Sequence, residues 1–162
     1  MAIDRIGDLQ DRLEQLYFLL KGLESAKDKA SDDEKPRISL KITDQWQEIQ
    51  AVEREYAQRL AQQIKREDLP ELMAETILAE FVDEIEMIQS NVKNDEVRLI
   101  LQQILHELQK PGVPAAAKLK VAIPIIPNVV SYEIEGDTEN VIRLLFPTFV
   151  EAYKKIKTIM GK

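Results

Sequence analysis

His106 is the one histidine of this 162-residue chain, so it is the first side chain to test as a general base or a metal ligand. Histidine serves both purposes because its pKa lies near neutrality. A zinc site on a helix pairs two ligands four residues apart, yet Gln102 and Lys110 occupy the positions four residues before and after His106. We therefore expect His106 to be a solvated or boundary residue without a catalytic or metal-binding role.

Acidic residues are numerous, 29 Asp and Glu in all, so pairs at helical spacing arise by chance. A di-iron bundle needs Glu-x-x-His motifs on facing helices, and Gln103 stands where the glutamate before His106 would be. We therefore interpret the helical carboxylates as solvated helix faces. This interpretation covers Glu53, Glu55, Glu80, Asp83, Glu84 and Glu86.

The chain also lacks the residues that other common active sites require. Without cysteine it holds no disulfide, thiolate zinc site or cysteine nucleophile. Its five glycines are too scattered for a phosphate-binding loop, and no Gly-x-Ser-x-Gly nucleophile motif occurs. The sequence thus predicts no catalytic residue, no metal and no cofactor, and we do not expect an enzyme.

Charge and hydropathy exclude further classes of function. A net charge of −7 argues against a nucleic-acid binder, which needs a basic face to replace phosphate counterions. The first twelve residues are acidic and amphipathic, unlike a secretory signal peptide. The most apolar stretch, 121–130, has about half of the roughly 20 residues that cross a bilayer. We expect a cytoplasmic protein without a transmembrane segment.

The first predicted helix, about 2–25, carries an unusually regular apolar stripe. Its members follow one another at alternating steps of three and four residues, at Ile6, Leu9, Leu13, Leu16, Leu20 and Leu23. This is the a/d seam of a coiled coil or a tight helix pair. Tyr17, Phe18 and Leu19 widen the stripe, which predicts burial on more than one side there. The polar stretch 25–35 is expected to form a mobile loop.

A second helix is predicted over 36–66, with Pro36 in its first turn and Trp46 and Tyr56 on its apolar stripe. Two long helices joined by a polar loop predict an antiparallel αα-hairpin. Further helices are expected over 69–90 and 95–109, where Asn94 is a suitable cap and Pro111-Gly112 a stop signal. Residues 1–110 are thus predicted to form a helical bundle led by the hairpin.

Residues 111–162 are expected to pack on the same domain. A short helix precedes a proline-punctuated, β-branched stretch, and Val130, Tyr132 and Ile134 alternate with polar residues. That alternation predicts a short β-strand or hairpin near 123–135. The last helix carries Pro147 in its interior, which predicts a kink. The predicted fold class is mainly α, with a small β element.

One block of this C-terminal part is familiar. Residues 116–127 and 130–139 contain Lys-Leu-Lys, a Pro-x-x-Pro apolar run, Ser-Tyr-Glu and Asp-Thr-Glu, and 146–149 adds Phe-Pro-Thr-Phe. The block resembles uncharacterised helical accessory regions of photosynthetic bacteria that occur beside STAND-type signalling ATPases and caspase-like or TIR domains. The resemblance implies an adaptor or effector-associated role in a signalling or defence assembly, with a signalling ATPase, protease or TIR protein as partner. It implies no catalytic residue.

These patterns favour a protein–protein interaction or oligomerising adaptor module. The partner-binding hypothesis rests on the heptad seam and the apolar strand, and it names Leu9, Leu13, Leu16, Leu20, Ile125, Ile126, Val130 and Tyr132. If the seam joins two copies, a charge at Leu13 or Leu16 should dissociate the dimer and leave helicity intact. The alternative is that both elements are buried within one monomer. A different hypothesis is a bundle that binds or permeabilises membranes through 121–130 after rearrangement.

Overall fold

The computed structural model describes residues 4–132 and 141–160, and these residues are almost entirely helical. The helices are α1 (Arg5–Lys29), α2 (Lys35–Arg66), α3 (Glu71–Asn91), α4 (Asp95–Leu108), α5 (Ala115–Ala122), a 3₁₀ helix (Ile123–Tyr132) and α6 (Val141–Met160). The mainly α fold class predicted from the sequence is confirmed. The stretch 133–140 lies outside the described residues.

Several helix ends follow from local side-chain chemistry. The carboxylate of Asp4 accepts a hydrogen bond of 2.9 Å from the backbone N–H of Gly7 and so caps α1. Asn94 caps α4 in the same way through Val97, at 3.1 Å, as the sequence predicted. Gly112 follows α4 with a φ of 76°, a left-handed conformation that glycine adopts without strain.

Helices α1 and α2 lie side by side and run in opposite directions. Arg5, near the start of α1, pairs with Glu55 at 2.9 Å, and Arg12, two turns later, pairs with Glu48. The ion-pair partner on α2 moves from Glu55 back to Glu48 as the residue on α1 moves forward from Arg5 to Arg12, so the two helices are antiparallel. The connection spans only 30–34, because Ser25–Lys29 contains no helix breaker and α1 continues through it. The predicted loop over 25–35 was too long.

Helix α6 packs along another side of α1, also antiparallel. Its C-terminal half lies beside the start of α1, where Tyr153 and Lys157 bond to Asp4. Its N-terminal half lies beside the end of α1, where Arg143 pairs with Glu24 at 3.2 Å. The helix passes through Pro147 and extends over 20 residues. Helix α1 is therefore held on two sides, by α2 and by α6.

The rest of the bundle closes around the same core. Helix α3 packs against α4, α5 and α6, and the 3₁₀ helix packs against α2 and α4. A chain of aromatic contacts runs through the centre, from Tyr17 to Phe146, Tyr56, Phe149 and Phe81, with ring centroids 5.4–5.8 Å apart. Such edge-to-face and tilted contacts stabilise a core beyond the area that the rings bury.

The predicted β element is wrong over 123–132, where the chain forms the 3₁₀ helix. Its buried aliphatic side chains, Ile123, Ile126 and Val129, recur every third residue, which is the period of a 3₁₀ helix. This period spans seven residues, 123–129, whereas the alternation of Val130, Tyr132 and Ile134 spans five. Residues 133–135 of the predicted strand lie outside the described residues.

A contact that the sequence did not predict holds the start of α5. Glu71, the first residue of α3, accepts hydrogen bonds from the backbone N–H groups of Ala115, at 2.7 Å, and Ala116, at 3.3 Å. These groups lack partners within α5 because they belong to its first turn. The carboxylate therefore caps α5 from a residue 44 positions away and fixes α5 against α3.

Candidate interaction surface

The side chains first considered for chemistry are dispersed in the structure. His106 is exposed on α4, and Glu80, Asp83, Glu84 and Glu86 follow the polar side of α3. Within residues 4–132 and 141–160, no three histidine or carboxylate side chains lie close enough together to hold a metal ion.

The leucines of the partner-binding hypothesis are buried within the single chain. Leu13 and Leu20 are fully buried, and Leu9 and Leu16 nearly so, because α2 and the core of the bundle cover the seam. A second chain could reach them only if α1 left the bundle. The alternative of intramolecular burial accounts for the seam without a partner.

The C-terminal residues of the same hypothesis are likewise not available as a free apolar strand. Ile126 is buried and Ile125 is partly buried against the core. The side chains of Val130 and Tyr132 lie outside the described residues. Because Ile123, Ile126 and Val129 are core residues, membrane insertion of 121–130 would require this segment to leave the bundle. No helix among the described residues combines the length and hydropathy needed to cross a membrane.

The apolar surface of α1 lies on the opposite side of the helix from the seam. Phe18 is 76% exposed and Leu19 is 55% exposed, so the predicted burial of both residues is wrong. The other large apolar side chains that are exposed among the described residues are Leu40, Leu72, Met87, Leu99, Val121 and Leu144. Of these exposed side chains in the described part of the chain, only Phe18 and Leu19 are adjacent in sequence, and they form an apolar patch on α1.

We define the outer face of α1 as the exposed residues around this patch: Asp8, Asp11, Glu14, Gln15, Phe18, Leu19, Lys21, Gly22, Ser25 and Lys29. A shallow groove of about 660 Å³ runs along it, and Asp11, Glu14 and Gln15 line it together with Phe18 and Leu19. Acidic residues precede the apolar patch and lysines follow it. The face is therefore apolar at its centre and oppositely charged at its two ends.

A partly buried polar contact beside this face joins α1 to α2. The hydroxyl of Tyr17 donates a hydrogen bond to the carboxylate of Glu53, which is completely buried on α2. The Tyr17 ring packs edge-on against Phe146, and the guanidinium of Arg143 lies over it at 5.8 Å. Tyr17 thus contacts α2 and α6 at once, while the next residue, Phe18, is exposed. Glu53 is not the solvated residue that the sequence analysis expected.

The first turn of α1 is attached to α6 by a second polar cluster. The carboxylate of Asp4 accepts hydrogen bonds from the Tyr153 hydroxyl, from Lys157 at 3.0 Å and from the N–H of Gly7. Partial burial acts to raise the pKa of Asp4, but these hydrogen bonds and the Lys157 charge outweigh it and lower that pKa below its usual value. Burial and the Asp4 carboxylate raise the pKa of Tyr153, so its hydroxyl stays protonated and donates.

This cluster predicts a pH-dependent contribution to stability. Because the pKa of Asp4 is lower in the folded state, its contribution is fully present above the unfolded pKa and is lost as the pH falls through the folded pKa. We expect Asp4→Asn, which keeps the helix cap, to lower the free energy of unfolding at pH 7 by less than about 1 kcal/mol, since the side chain is partly exposed. Urea unfolding should show the difference shrinking below about pH 4. An equal difference at pH 7 and pH 3 would contradict this assignment.

No protein-family model, no curated protein and no solved structure matches the chain.

Proposed function

We propose that this protein is a non-enzymatic protein–protein interaction module of the oligomerising or adaptor type, and that the outer face of α1 is its contact surface. The observation that carries the proposal is the 76% exposure of Phe18 beside the exposed Leu19. Burying an aromatic or leucine side chain stabilises a complex by roughly 1.5–3 kcal/mol. An adjacent pair of such side chains is a suitable centre for an interface.

The setting of these two side chains supports the same function. Helix α1 is capped at Asp4, buried along its leucine seam, and joined to α2 and α6 through Tyr17, so Phe18 is presented on a supported element. A preorganised surface binds with a smaller loss of conformational entropy than a flexible one. The charged residues on both sides of the patch suit the polar rim of an interface. This geometry supports binding without any chemical step.

The proposed biological setting is a bacterial signalling or defence assembly in the cytoplasm. It rests on the resemblance of the C-terminal block to accessory regions found beside signalling ATPases and caspase-like or TIR domains. In that setting the module would hold a signalling ATPase, a protease or a TIR protein, and itself contribute no catalytic group. The 3₁₀ helix of this block packs against α2 and α4 and so supports the bundle, while α1 supplies the proposed contact surface.

The test of this function is comparative capture from native lysate. We expect Phe18→Asp to reduce the amount of specifically bound protein about tenfold or more, because the variant places a charge at the centre of the interface. The matched control is Leu72→Asp, which changes an 81% exposed leucine on α3 and should leave the bound proteins unchanged. Quantitative mass spectrometry of both captures gives the comparison.

Two outcomes would count against the proposed surface. Equal loss of binding in the two variants would indicate that any exposed apolar residue contributes, without a defined site. Unchanged binding in both variants would move the contact to another part of the molecule. Circular dichroism of each variant excludes unfolding as the cause of a loss.

A further inference from the structure

We infer that the occupant of the outer face of α1 is a second copy of this chain, paired antiparallel through α1 with Phe18 near the twofold axis. The inference rests on the proposed function and names the partner of the same surface. It follows from the order of charges along α1, from the small residue beside the patch, and from the position of Phe18 near the middle of the helix.

The order of charges along the face makes two antiparallel copies electrostatically complementary. Asp11 and Glu14 lie before Phe18, whereas Lys21 and Lys29 lie after it. In an antiparallel pair centred on Phe18, a residue n positions before the centre faces the residue n positions after it. Lys21 of one copy then lies within one turn of Glu14 of the other, and Lys29 lies within one turn of Asp8 and four residues from Asp11.

A parallel arrangement would have the opposite electrostatic effect. It would place Asp11 and Glu14 against the same carboxylates of the second copy, and Lys21 against the same lysine. Like charges across an interface disfavour association, so the charge order selects the antiparallel pair. These four side chains form no ion pair with another described residue, which leaves them available at the surface.

Close approach of the two helices is possible at Gly22. The Cβ position of this glycine has no atom within 4 Å, so the helix surface is open and low there. Gly22 lies four residues after Phe18 and faces Glu14 of the second copy in the proposed pair. The two Phe18 side chains thus meet at the axis, and the open surface at Gly22 leaves room for the Glu14 side chain of the second copy.

The size of the contact predicts its strength. Helix α1 has 25 residues and is about 37 Å long, so a strip roughly 10 Å wide covers about 370 Å² on each copy. Stable complexes bury about 800 Å² per partner, and smaller contacts are weak and transient. We therefore expect a dissociation constant of tens to hundreds of micromolar, which becomes effective where copies are concentrated in an assembly.

Sedimentation velocity between about 10 µM and 1 mM tests the association itself. We expect the mean mass to rise from monomer toward dimer over this range, and Phe18→Asp to shift the midpoint about tenfold or more. Leu72→Asp should sediment as the unchanged chain does. A protein that remains monomeric at about 1 mM would overturn the inference.

The orientation is tested with single cysteines, because the natural chain has none. We expect a mixture of Glu14→Cys and Gly22→Cys to form the mixed disulfide several-fold above the statistical ratio, since only the antiparallel pair brings position 14 close to position 22. Preferential formation of disulfides between identical positions would overturn the antiparallel arrangement. Circular dichroism of both variants shows whether they fold.

The two proposals fail in different ways. A monomeric protein whose lysate capture still depends on Phe18 would overturn the second copy as occupant and leave the interaction surface standing. A monomeric protein whose capture is insensitive to Phe18→Asp would overturn both. Concentration-dependent dimers that are insensitive to Phe18→Asp would place self-association elsewhere and overturn this inference.

Discussion

Leu13→Asp is expected to unfold the protein. Leu13 is fully buried on the α1 seam, so the aspartate would lose the leucine's apolar contacts and bring a charge into the core. Removing a buried leucine side chain costs about 2–5 kcal/mol, and an unpaired buried charge adds several more. Because small domains are stable by only about 5–15 kcal/mol, the sum removes most or all of the stability. Urea or thermal unfolding followed by circular dichroism measures the loss.

The matched control lies on the same helix. Phe18→Asp introduces the same charge five residues later, but at a side chain that is 76% exposed, and we expect a change within about 0.5 kcal/mol. If Leu13→Asp instead keeps native stability and only changes the mass of the protein, then the seam is an interface between chains. The structure disfavours that result, because α2 already covers Leu13.

The heptad pattern predicts that a charge at Leu13 dissociates a dimer, whereas burial of Leu13 within the chain predicts unfolding. An a/d seam specifies that another helix lies against it, but it does not specify the chain to which that helix belongs. Here the complementary surface is the stripe of α2, which includes buried Ile49, Tyr56 and Leu60. A charge at Leu13 or Leu16 would therefore disturb the fold before it could report on any dimer. Phe18 and Leu19 are the positions that separate association from folding.

The position of Phe18 was readable from the sequence but was misinterpreted. At 100° per residue, Phe18 follows Asp11 by two turns and shares its direction, which is away from Leu13 and Leu16. The hydrophobicity of Phe18 predicts burial, whereas its angle around the helix places it on the side opposite the buried seam. The helical period predicts the side of the helix on which a residue lies. Whether that side is exposed depends on whether another helix packs against it.

The 3₁₀ helix and the cap of α5 show two different limits of sequence reasoning. For the first, the period of Ile123, Ile126 and Val129 was present, but β-branched residues and prolines favour a strand interpretation when only composition is weighed. For the second, no local pattern connects Glu71 with Ala115, because the contact spans 44 positions and exists only after α3 and α5 pack. The mainly helical fold was predictable from local patterns, whereas the 3₁₀ helix and the long-range polar cap were not.

Glu53 combines both limits. It lies four residues after Ile49 and three before Tyr56, so helical spacing alone assigns it to the buried stripe of α2. Its charge favoured the interpretation as a solvated residue, because isolated carboxylates are rarely buried. One partner that offsets its desolvation, Tyr17, is on another helix 36 positions away. Burial of a charged residue is predictable only when its partner is known.

Tyr17→Phe tests whether this buried contact holds α1 in place. The substitution keeps the ring, and with it the contacts with Phe146 and Arg143, but removes the hydroxyl that donates to Glu53. A buried carboxylate that loses such a donor costs about 1.5–3 kcal/mol, so we expect the free energy of unfolding to fall by that amount. Urea unfolding at pH 7 measures the change. A double-mutant cycle with Glu53→Gln should give a coupling of about 1–3 kcal/mol.

Tyr153→Phe is the matched control, because its hydroxyl also donates to a carboxylate, that of Asp4, at the other end of α1. Asp4 is partly exposed and solvent can replace the lost donor, so we expect a loss below about 1 kcal/mol. A larger loss for Tyr17→Phe than for Tyr153→Phe would show that burial of Glu53 strengthens the bond to α1. Equal losses would mean that burial of Glu53 adds nothing to the bond, and the attachment of α1 to α2 would then depend on apolar packing.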